Sequence, residues 1–242
     1  MHTLSTPTPV PVDWSQIDCV FLDMDGTLLD LHYDNQVWNQ RVPQAYASQH
    51  GISATQASDL LLQHMREVYG TLDFYSFDYW IRYTNIDLIG IHESATDLLA
   101  FRPGAQAFLR WLSAAPVAAV IATNAHPDSI RIKNRHTRIC DLADAVVSSH
   151  GYAAAKEDAS FWQRLLQAHP FDPARCLFID DNEPILDAAG RCGIGQLLTI
   201  VQPDSQRPGR SGLRYPAFND FAEICPDIVE TTDPFPGGAQ RA

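Results

Sequence analysis

Basic residues are scarce in this sequence, which carries 17 Lys and Arg against 29 Asp and Glu and has a formal net charge of −12 at pH 7. Surfaces that bind nucleic acids or anionic membranes need clustered Lys and Arg, so this balance argues against both partners. A small phosphorylated substrate is compatible with this negative net charge. Charges farther away than a Debye length of about 8 Å are screened, so the cations close to the binding site determine whether an anion binds.

Long apolar runs are also absent. The longest run, "PVAAVIA" at 116–122, is far shorter than the roughly 20 residues that span a membrane. The N-terminal segment has neither the basic nor the apolar region of a signal peptide. The five cysteines are an odd number without paired spacing, as is typical of a reducing compartment. We therefore expect a soluble, cytoplasmic protein, and the sequence leaves its oligomeric state open.

The sequence does contain a series of short apolar runs separated by helical patterns. Between the runs, apolar residues recur at i, i+3, i+4 and i+7, as in segment 105–112. This alternation predicts an α/β fold with a doubly wound, Rossmann-like parallel sheet. The runs that predict its buried strands are "CVFL" (19–22), "VAAVIA" (117–122), "DAVVSS" (144–149), "CLFI" (176–179) and "QLLTIV" (196–201).

One long interval, residues 32–100, lacks any buried-strand pattern and carries helical spacing instead, with Leu61, Met65 and Val68 on one face. We expect this interval to be an inserted helical cap. An insertion that leaves the chain after the first strand would cover the carboxyl ends of the strands, where open α/β sheets bind ligands. The remaining boundaries that we predict are a core of residues 14–31 and 101–232 and loose tails at 1–13 and 233–242.

Four aspartates follow two of the predicted strands, Asp23 and Asp25 after the first and Asp180 and Asp181 after the fourth. If the two strands are neighbours, these carboxylates converge, and their repulsion requires a hard cation. Oxygen ligands favour Mg²⁺, which usually takes one or two carboxylates plus a substrate phosphate. A single Asp at a strand end is more often a turn residue, but four at the ends of two apolar runs predict a cation site.

Two further polar elements follow the second and third strands. Thr123 and Asn124 offer a hydroxyl and adjacent backbone N–H groups to an anion. Lys156 lies in the loop after the third strand. A lysine taken alone is usually a solvated surface residue, but the ordered series Asp-x-Asp, Thr, Lys and Asp-Asp after successive strands predicts that Lys156 belongs to the same site as the aspartates.

The order of "DMDGT", "ATN", Lys156 and "IDDN" resembles the haloacid dehalogenase superfamily over residues 17 to about 202. The resemblance implies that Asp23 is the nucleophile, which attacks phosphorus and forms an aspartyl-phosphate. It implies that Asp25 is the general acid and base. Dehalogenases of this superfamily do not need that acid, because a carbon–halogen bond breaks without protonation, so Asp25 favours phosphoryl transfer.

The same resemblance assigns the remaining site residues. Thr123 and Asn124 would hold the phosphoryl oxygens, and Lys156 would neutralise charge on the nucleophile and the phosphate. Glu157 follows this lysine where many relatives have proline, which predicts a looser loop. The implied Mg²⁺ ligands are Asp23, the backbone carbonyl of Asp25, Asp180 and, directly or through water, Asp181.

The sequence also contains longer motif strings, which include "DMDGTLLDLHYDNQVW", "DYW" (78–80), "TNAHP" (123–127) and "FIDDNEPILDAA". These strings are similar to those of bacterial purine nucleotidases that act on GMP and IMP. The resemblance implies a Mg²⁺-dependent phosphatase of purine nucleoside 5′-monophosphates. The aromatic residues of the interval 32–100, densest in "DFYSFDYW" at 73–80, fit both a helical core and a stacking site for a purine.

Two alternatives stay open from the sequence. The first is a phosphatase of the same superfamily that acts on a small metabolite such as phosphoglycolate or a sugar phosphate. The second is a non-enzymatic, receiver-like domain that accepts phosphate as a signal on an acidic pocket with Thr and Lys. The pairing of Asp23 with Asp25 and the long insertion argue against the second.

Overall fold

The computed structural model describes residue 10 and residues 12–225. Most of the predicted N-terminal tail and all of the predicted C-terminal tail at 233–242 lie outside the described residues. Within the predicted N-terminal tail, Val10 and Val12 pack against the main apolar cluster of the core.

The centre of the molecule is a six-stranded sheet with the order β3-β2-β1-β4-β5-β6, in which every neighbouring pair is parallel. The five predicted strands are confirmed to within one residue at each end. A sixth strand was missed because its two residues are too few to form a pattern. The strands are Cys19–Leu22 (β1), Ala118–Thr123 (β2), Ala145–Ser148 (β3), Cys176–Ile179 (β4), Gln196–Ile200 (β5) and Ala217–Phe218 (β6).

The chain between β1 and β2 is helical, and we call its residues 32–100 the insertion. The insertion contains His32–Gln36 (α1), a π-helical stretch Val37–Arg41, Val42–His50 (α2), Ala54–Val68 (α3), Leu72–Tyr75 (α4), Phe77–Thr84 (α5) and Leu88–Glu93 (α6). The helices that follow are Ala105–Ala114 (α7), Pro127–Thr137 (α8), Ala159–Ala168 (α9) and Glu183–Arg191 (α10). None of the helices within residues 12–225 combines the length and apolar character needed to cross a membrane.

Alternate residues of the sheet feed two separate apolar clusters. Val20 and Leu22 point to one face, where α7 contributes Phe108. Phe21 points to the other face, where α9 contributes Trp162. All four residues of β1 are buried, as expected for a central parallel strand covered by helices on both faces. The predicted doubly wound α/β fold is therefore confirmed.

A third apolar cluster lies inside the insertion, around Phe77 and Trp80. Ile132 of α8 is part of this cluster although it belongs to the core, so the insertion packs directly on α8. His126 caps α8 by accepting a hydrogen bond from the N–H of Asp128. The helix that follows β2 thus supports both the end of that strand and the insertion above it.

Candidate active site

The turn after β1 carries Asp23 and Asp25 to the carboxyl edge of the sheet. The N–H of Asp23 donates to the carbonyl of Ile179 at 2.9 Å, which extends the pairing of β1 with β4 by one residue. Gly26 then turns the chain with φ +89°. A Cβ on Gly26 would lie 2.7 Å from a carboxylate oxygen of Asp181. Glycine at this position therefore lets the loops after β1 and β4 touch.

The loop after β4 is fixed by its backbone. The N–H of Asp180 donates to the carbonyl of Leu198 at 3.2 Å, and the N–H of Asp181 donates to the hydroxyl of Thr27 at 3.1 Å. The guanidinium of Arg210 donates to the carbonyl of Asp181 at 2.7 Å. Both aspartates are thereby held beside the turn after β1.

Three carboxylates meet where these loops touch. Oxygen atoms of Asp23, Asp180 and Asp181 all lie within 4.8 Å of one another. An all-oxygen set of this size fits a hard divalent cation such as Mg²⁺. The Asp25 carboxylate lies outside this cluster, so any part it takes in holding a cation would come from its backbone carbonyl, as the resemblance implies.

Lys156 is buried between two of these aspartates and is 1% exposed. Its ammonium lies 2.5 Å from Asp23 Oδ1 and 2.7 Å from Asp180 Oδ2, and it also donates to the carbonyl of Ala122 at 2.9 Å. Burial alone would lower the pKa of Lys156, but the charges of Asp180 and Asp23 outweigh burial and raise that pKa above its usual value. The lysine therefore stays protonated beside the predicted nucleophile.

Thr123 and Asn124 lie at the end of β2, on the same edge of the sheet. The Thr123 hydroxyl accepts from the N–H of Ala125 at 3.0 Å. The Asn124 side chain accepts from the N–H of Lys156 at 2.9 Å and donates to Glu157 at 3.0 Å. Glu157 also accepts from the Tyr75 hydroxyl at 2.5 Å. The loop that we expected to be looser is thus bonded to both β2 and the insertion.

Lys133 and Asp34 belong to the same cavity, and neither was identified from the sequence. The Lys133 ammonium lies 2.7 Å from Asp25 Oδ1 and donates to both carboxylate oxygens of Asp34, at 2.9 and 3.0 Å. A signal was present in α8, because Ser129, Ile132, Lys133 and Thr137 recur at helical spacing and are all buried. A lysine on a buried helix face needs a charged partner.

The cavity carries an excess of negative charge. Five aspartates face two lysines along its walls, a formal charge of −3 when all are ionised. Burial raises the pKa of Asp23 to about 7 against the opposing charge of Lys156, and burial together with the charge of Asp23 raises that of Asp181 to about 7. Burial also raises the pKa of Asp180 to about 6, again opposed by Lys156. A cation would relieve this repulsion.

The cavity itself has a volume of about 370 Å³ and lies between the strand ends and the insertion. This volume is within the range of about 300–1,000 Å³ typical of small-molecule sites. Five of the aromatic residues in the insertion are absent from its walls, namely Tyr33, Tyr46, Tyr79, Trp80 and Tyr83. The aromatic side chains that do line it are Trp38, Tyr69, Phe74, Tyr75 and Phe77.

Residues 17–193 match the haloacid dehalogenase-like hydrolase family. Since this match covers most of the chain and the predicted motifs lie together at one edge of the sheet, the protein belongs to this family and is an enzyme of the hydrolase class. Membership of the family leaves no support for the receiver-like alternative.

Individual relatives give a finer view. The chain is 33% identical over 220 residues to the GMP/IMP nucleotidase YrfG of Escherichia coli (strain K12), covering 91% of this chain and 99% of that protein. The fold is similar to a HAD phosphatase from Thermococcus onnurineus, with a TM-score of 0.70, 18% identity and coverage of 86% and 95% of the two chains. It also resembles a putative β-phosphoglucomutase from Thermotoga maritima, with a TM-score of 0.60, 17% identity and coverage of 86% and 97%.

Proposed function

We propose that this protein is a phosphatase that hydrolyses purine nucleoside 5′-monophosphates through an aspartyl-phosphate on Asp23. The observation that carries the chemistry is the contact of Asp23 with the buried, protonated Lys156, beside a second aspartate two residues further along the same turn. Lys156 is thus the charge partner of the proposed nucleophile Asp23, and Asp25 is available as a separate acid.

In the first step an oxygen of Asp23 attacks phosphorus, and the bond from phosphorus to the nucleoside 5′-oxygen breaks. Asp25 donates its proton to that leaving oxygen. Thr123 and Asn124 bind the phosphoryl oxygens at the end of β2. Lys156 offsets the negative charge that the nucleophile and the phosphate bring together.

In the second step Asp25, now a carboxylate, takes a proton from water. The resulting oxygen attacks the phosphorus of the aspartyl-phosphate, and the bond from phosphorus to the Asp23 oxygen breaks. Inorganic phosphate leaves, Asp23 is again a carboxylate and Asp25 is again protonated. The nucleoside and phosphate account for all atoms of the nucleotide and of one water molecule.

Magnesium is the cation that we propose for the three clustered carboxylates. Asp23, Asp180 and Asp181 fit it because they supply only oxygen and would otherwise repel one another in a buried cluster. When bound, the ion offsets the negative charge of the substrate phosphate and of the surrounding aspartates. Asp180 and Asp181 have no other proposed role in the reaction.

A purine nucleotide is supported by two observations. The relative from Escherichia coli, which aligns over nearly its whole length, is a GMP/IMP nucleotidase by name. In this chain, five aromatic side chains of the insertion line the same cavity as Thr123 and Asn124, the residues proposed to bind the phosphate. Aromatic faces bind bases by stacking, which contributes about 1–3 kcal/mol per base. The odd number of cysteines, all of the described ones being free, favours the cytoplasm as the location.

The experiment that tests this proposal is phosphate release from a panel of esters, with and without Mg²⁺. The panel contains GMP, IMP, the pyrimidine nucleotides, phosphoglycolate and several sugar phosphates. We expect GMP and IMP to give the highest kcat/KM and to require the ion. Fast turnover of phosphoglycolate or a sugar phosphate with no release from GMP or IMP would favour the small-metabolite alternative and exclude the purine.

A further inference from the structure

The chemistry proposed above uses Lys156 but leaves the second buried lysine of the cavity unexplained. Lys133 projects from α8 and is 1% exposed, and its side chain ends beside the carboxylates of Asp25 and Asp34. A buried ammonium is costly unless it is paired and hydrogen-bonded, so its two acidic partners account for its stability in this position. They do not account for a lysine being present at all.

The geometry of Lys133 differs on its two sides. Toward the insertion it donates two hydrogen bonds to Asp34, one to each carboxylate oxygen. Toward the core it makes a single close ion pair with Asp25 Oδ1 at 2.7 Å. One ammonium thereby joins the turn after β1 to the first helix of the insertion.

The insertion side of this link is itself held in place. The Lys133 ammonium lies 5.3 Å from the ring centre of Tyr33, the neighbour of Asp34 on α1. The Tyr33 hydroxyl donates to the carbonyl of His92 on α6 at 3.0 Å and lies 3.0 Å from its ring Nδ1. Tyr33 and His92 are both fully buried. Asp34 is therefore attached to a packed wall of the insertion rather than to a free loop.

Asp25 needs such a restraint more than its neighbours do. It lies in an irregular turn, and its side chain is 21% exposed, whereas Asp23 and Asp180 are buried against Lys156. A general acid must be within hydrogen-bonding reach of the leaving oxygen, and a misplaced acid loses rate steeply. The only cation in contact with the Asp25 side chain, among the described residues, is Lys133.

We propose that Lys133 is a positioning residue that holds the Asp25 carboxylate in place for proton transfer, anchored to the insertion through Asp34. The inference rests on the proposed function, because it takes Asp25 as the acid and base of that reaction. It adds a requirement that the family motifs do not contain, namely that the insertion contributes to placing the acid of the core.

The two steps of the reaction separate this role from a structural one. The leaving group of 4-nitrophenyl phosphate needs no proton, so Asp25 is dispensable for phosphorylation of Asp23 by this ester but needed to hydrolyse the aspartyl-phosphate. With Lys133→Met we expect a rapid burst of 4-nitrophenolate, at a rate within about threefold of wild type, followed by steady turnover slowed by about 100-fold. With GMP both steps need Asp25, so no burst of nucleoside is expected.

Three variants complete the test. Asp25→Asn should give the same burst pattern, and Lys133→Arg should restore part of the steady rate. Arg135→Met is the matched control, because Arg135 lies on the same helix and makes an exposed ion pair with Glu93 of the insertion at 3.2 Å. It should leave both phases unchanged. If Lys133→Met does not fold, the double variant Lys133→Met/Asp34→Asn removes the charge imbalance and is expected to show the same burst.

The outcomes are distinguishable. A burst with slow turnover in the Lys133 variants supports the inference. A proportional loss of both phases, or no loss, contradicts it while leaving the proposed function intact if Asp25→Asn behaves as expected. If the wild-type protein cleaves neither ester, the proposed function is wrong and the role of Lys133 is wrong with it.

Discussion

The two buried lysines of the cavity contact the two aspartates of one turn, yet they belong to different kinds of structure. Lys156 joins Asp23 to Asp180, and the three hydrogen bonds of its ammonium all go to residues at the strand ends of a single sheet. Lys133 joins Asp25 to Asp34 and thus joins the sheet to the insertion. The core half of the site is fixed by strand pairing, whereas the other half depends on how two parts of the chain pack together.

Because of this difference, we expect substitutions in the two halves to change the hydrolysis of different esters in different ways. A change at the core half should affect every ester in the same way, since the proposed nucleophile, phosphate site and cation site are all there. A change at the insertion half should depend on the leaving group or on the rest of the substrate. Four measurements probe this division, in order of decreasing expected effect.

The largest effect is expected for Asp23→Asn, which removes the proposed nucleophile. Turnover of every ester should fall on the order of 10⁴- to 10⁶-fold, as for other enzymes that lose their nucleophile. Phosphate release and acid-quench trapping of the phosphoenzyme measure the loss. Asp59→Asn, at an exposed position on α3, is the control and should be fully active. Activity of Asp23→Asn close to wild type would exclude the covalent mechanism.

Lys156→Met should lower turnover by about 10²- to 10³-fold, the usual cost of one preorganised electrostatic contact. Because Lys156 touches the nucleophile, the loss should be similar for GMP and for 4-nitrophenyl phosphate and should include the burst phase. Stopped-flow absorbance gives the burst, and circular dichroism checks the fold. If the burst were preserved in Lys156→Met, the proposal that Lys156 and Lys133 act on different steps of the reaction would be wrong.

At pH 8, a free Mg²⁺ concentration of about 100 times its Kd should raise the Tm of the protein by about 5–10 °C. That excess stabilises by about 2.7 kcal/mol, and each kcal/mol shifts the Tm of a domain this size by about 2–4 °C. The cause is the carboxylate cluster, where burial raises the pKa of Asp23 and Asp181 to about 7 and of Asp180 to about 6. In the ion-free protein, a carboxyl with a raised pKa loses its stabilising contribution as the pH rises through that pKa.

At pH 5.5 these carboxyls hold protons that the ion must displace, so the Mg²⁺-induced shift should be smaller there. Differential scanning fluorimetry at both pH values measures it. Asp180→Asn should reduce the shift, and Asp59→Asn should keep it. A shift that is equal at both pH values, or that persists in Asp180→Asn, would place the ion elsewhere.

The smallest effect is expected on the insertion side, at Tyr69. This residue lines the cavity, is 51% exposed and lies 5.3 Å from Phe74 between ring centres. Tyr69→Ala should raise the KM for GMP about tenfold with little change in kcat, because stacking contributes about 1–3 kcal/mol. Tyr83→Ala is the control, since Tyr83 is 42% exposed on the same insertion and does not line the cavity. Equal KM values for both variants would remove Tyr69 from the proposed base site.

The two halves also differ in how far the sequence predicts them. Each predicted site residue of the core follows an apolar run, and parallel strands end at one edge, so the pattern alone brings Asp23, Thr123, Lys156 and Asp180 to that edge. Lys133 and Asp34 lie 99 positions apart and meet only because the insertion packs on α8. No local period encodes that contact. The same limit applies to the cavity walls, where composition could not separate Tyr69 from Tyr83.

The loop of Asp181 takes its final conformation when the chain folds, before any ion binds at the proposed cation site. Its N–H is bonded to Thr27, its carbonyl accepts from Arg210, and its carboxylate packs where Gly26 has no side chain. These bonds form when the chain folds, so the conformational entropy of the loop is lost then and not when a ligand arrives. Gly26→Ala would therefore weaken binding by displacing an aspartate on another loop, although residue 26 itself supplies no ligand atom.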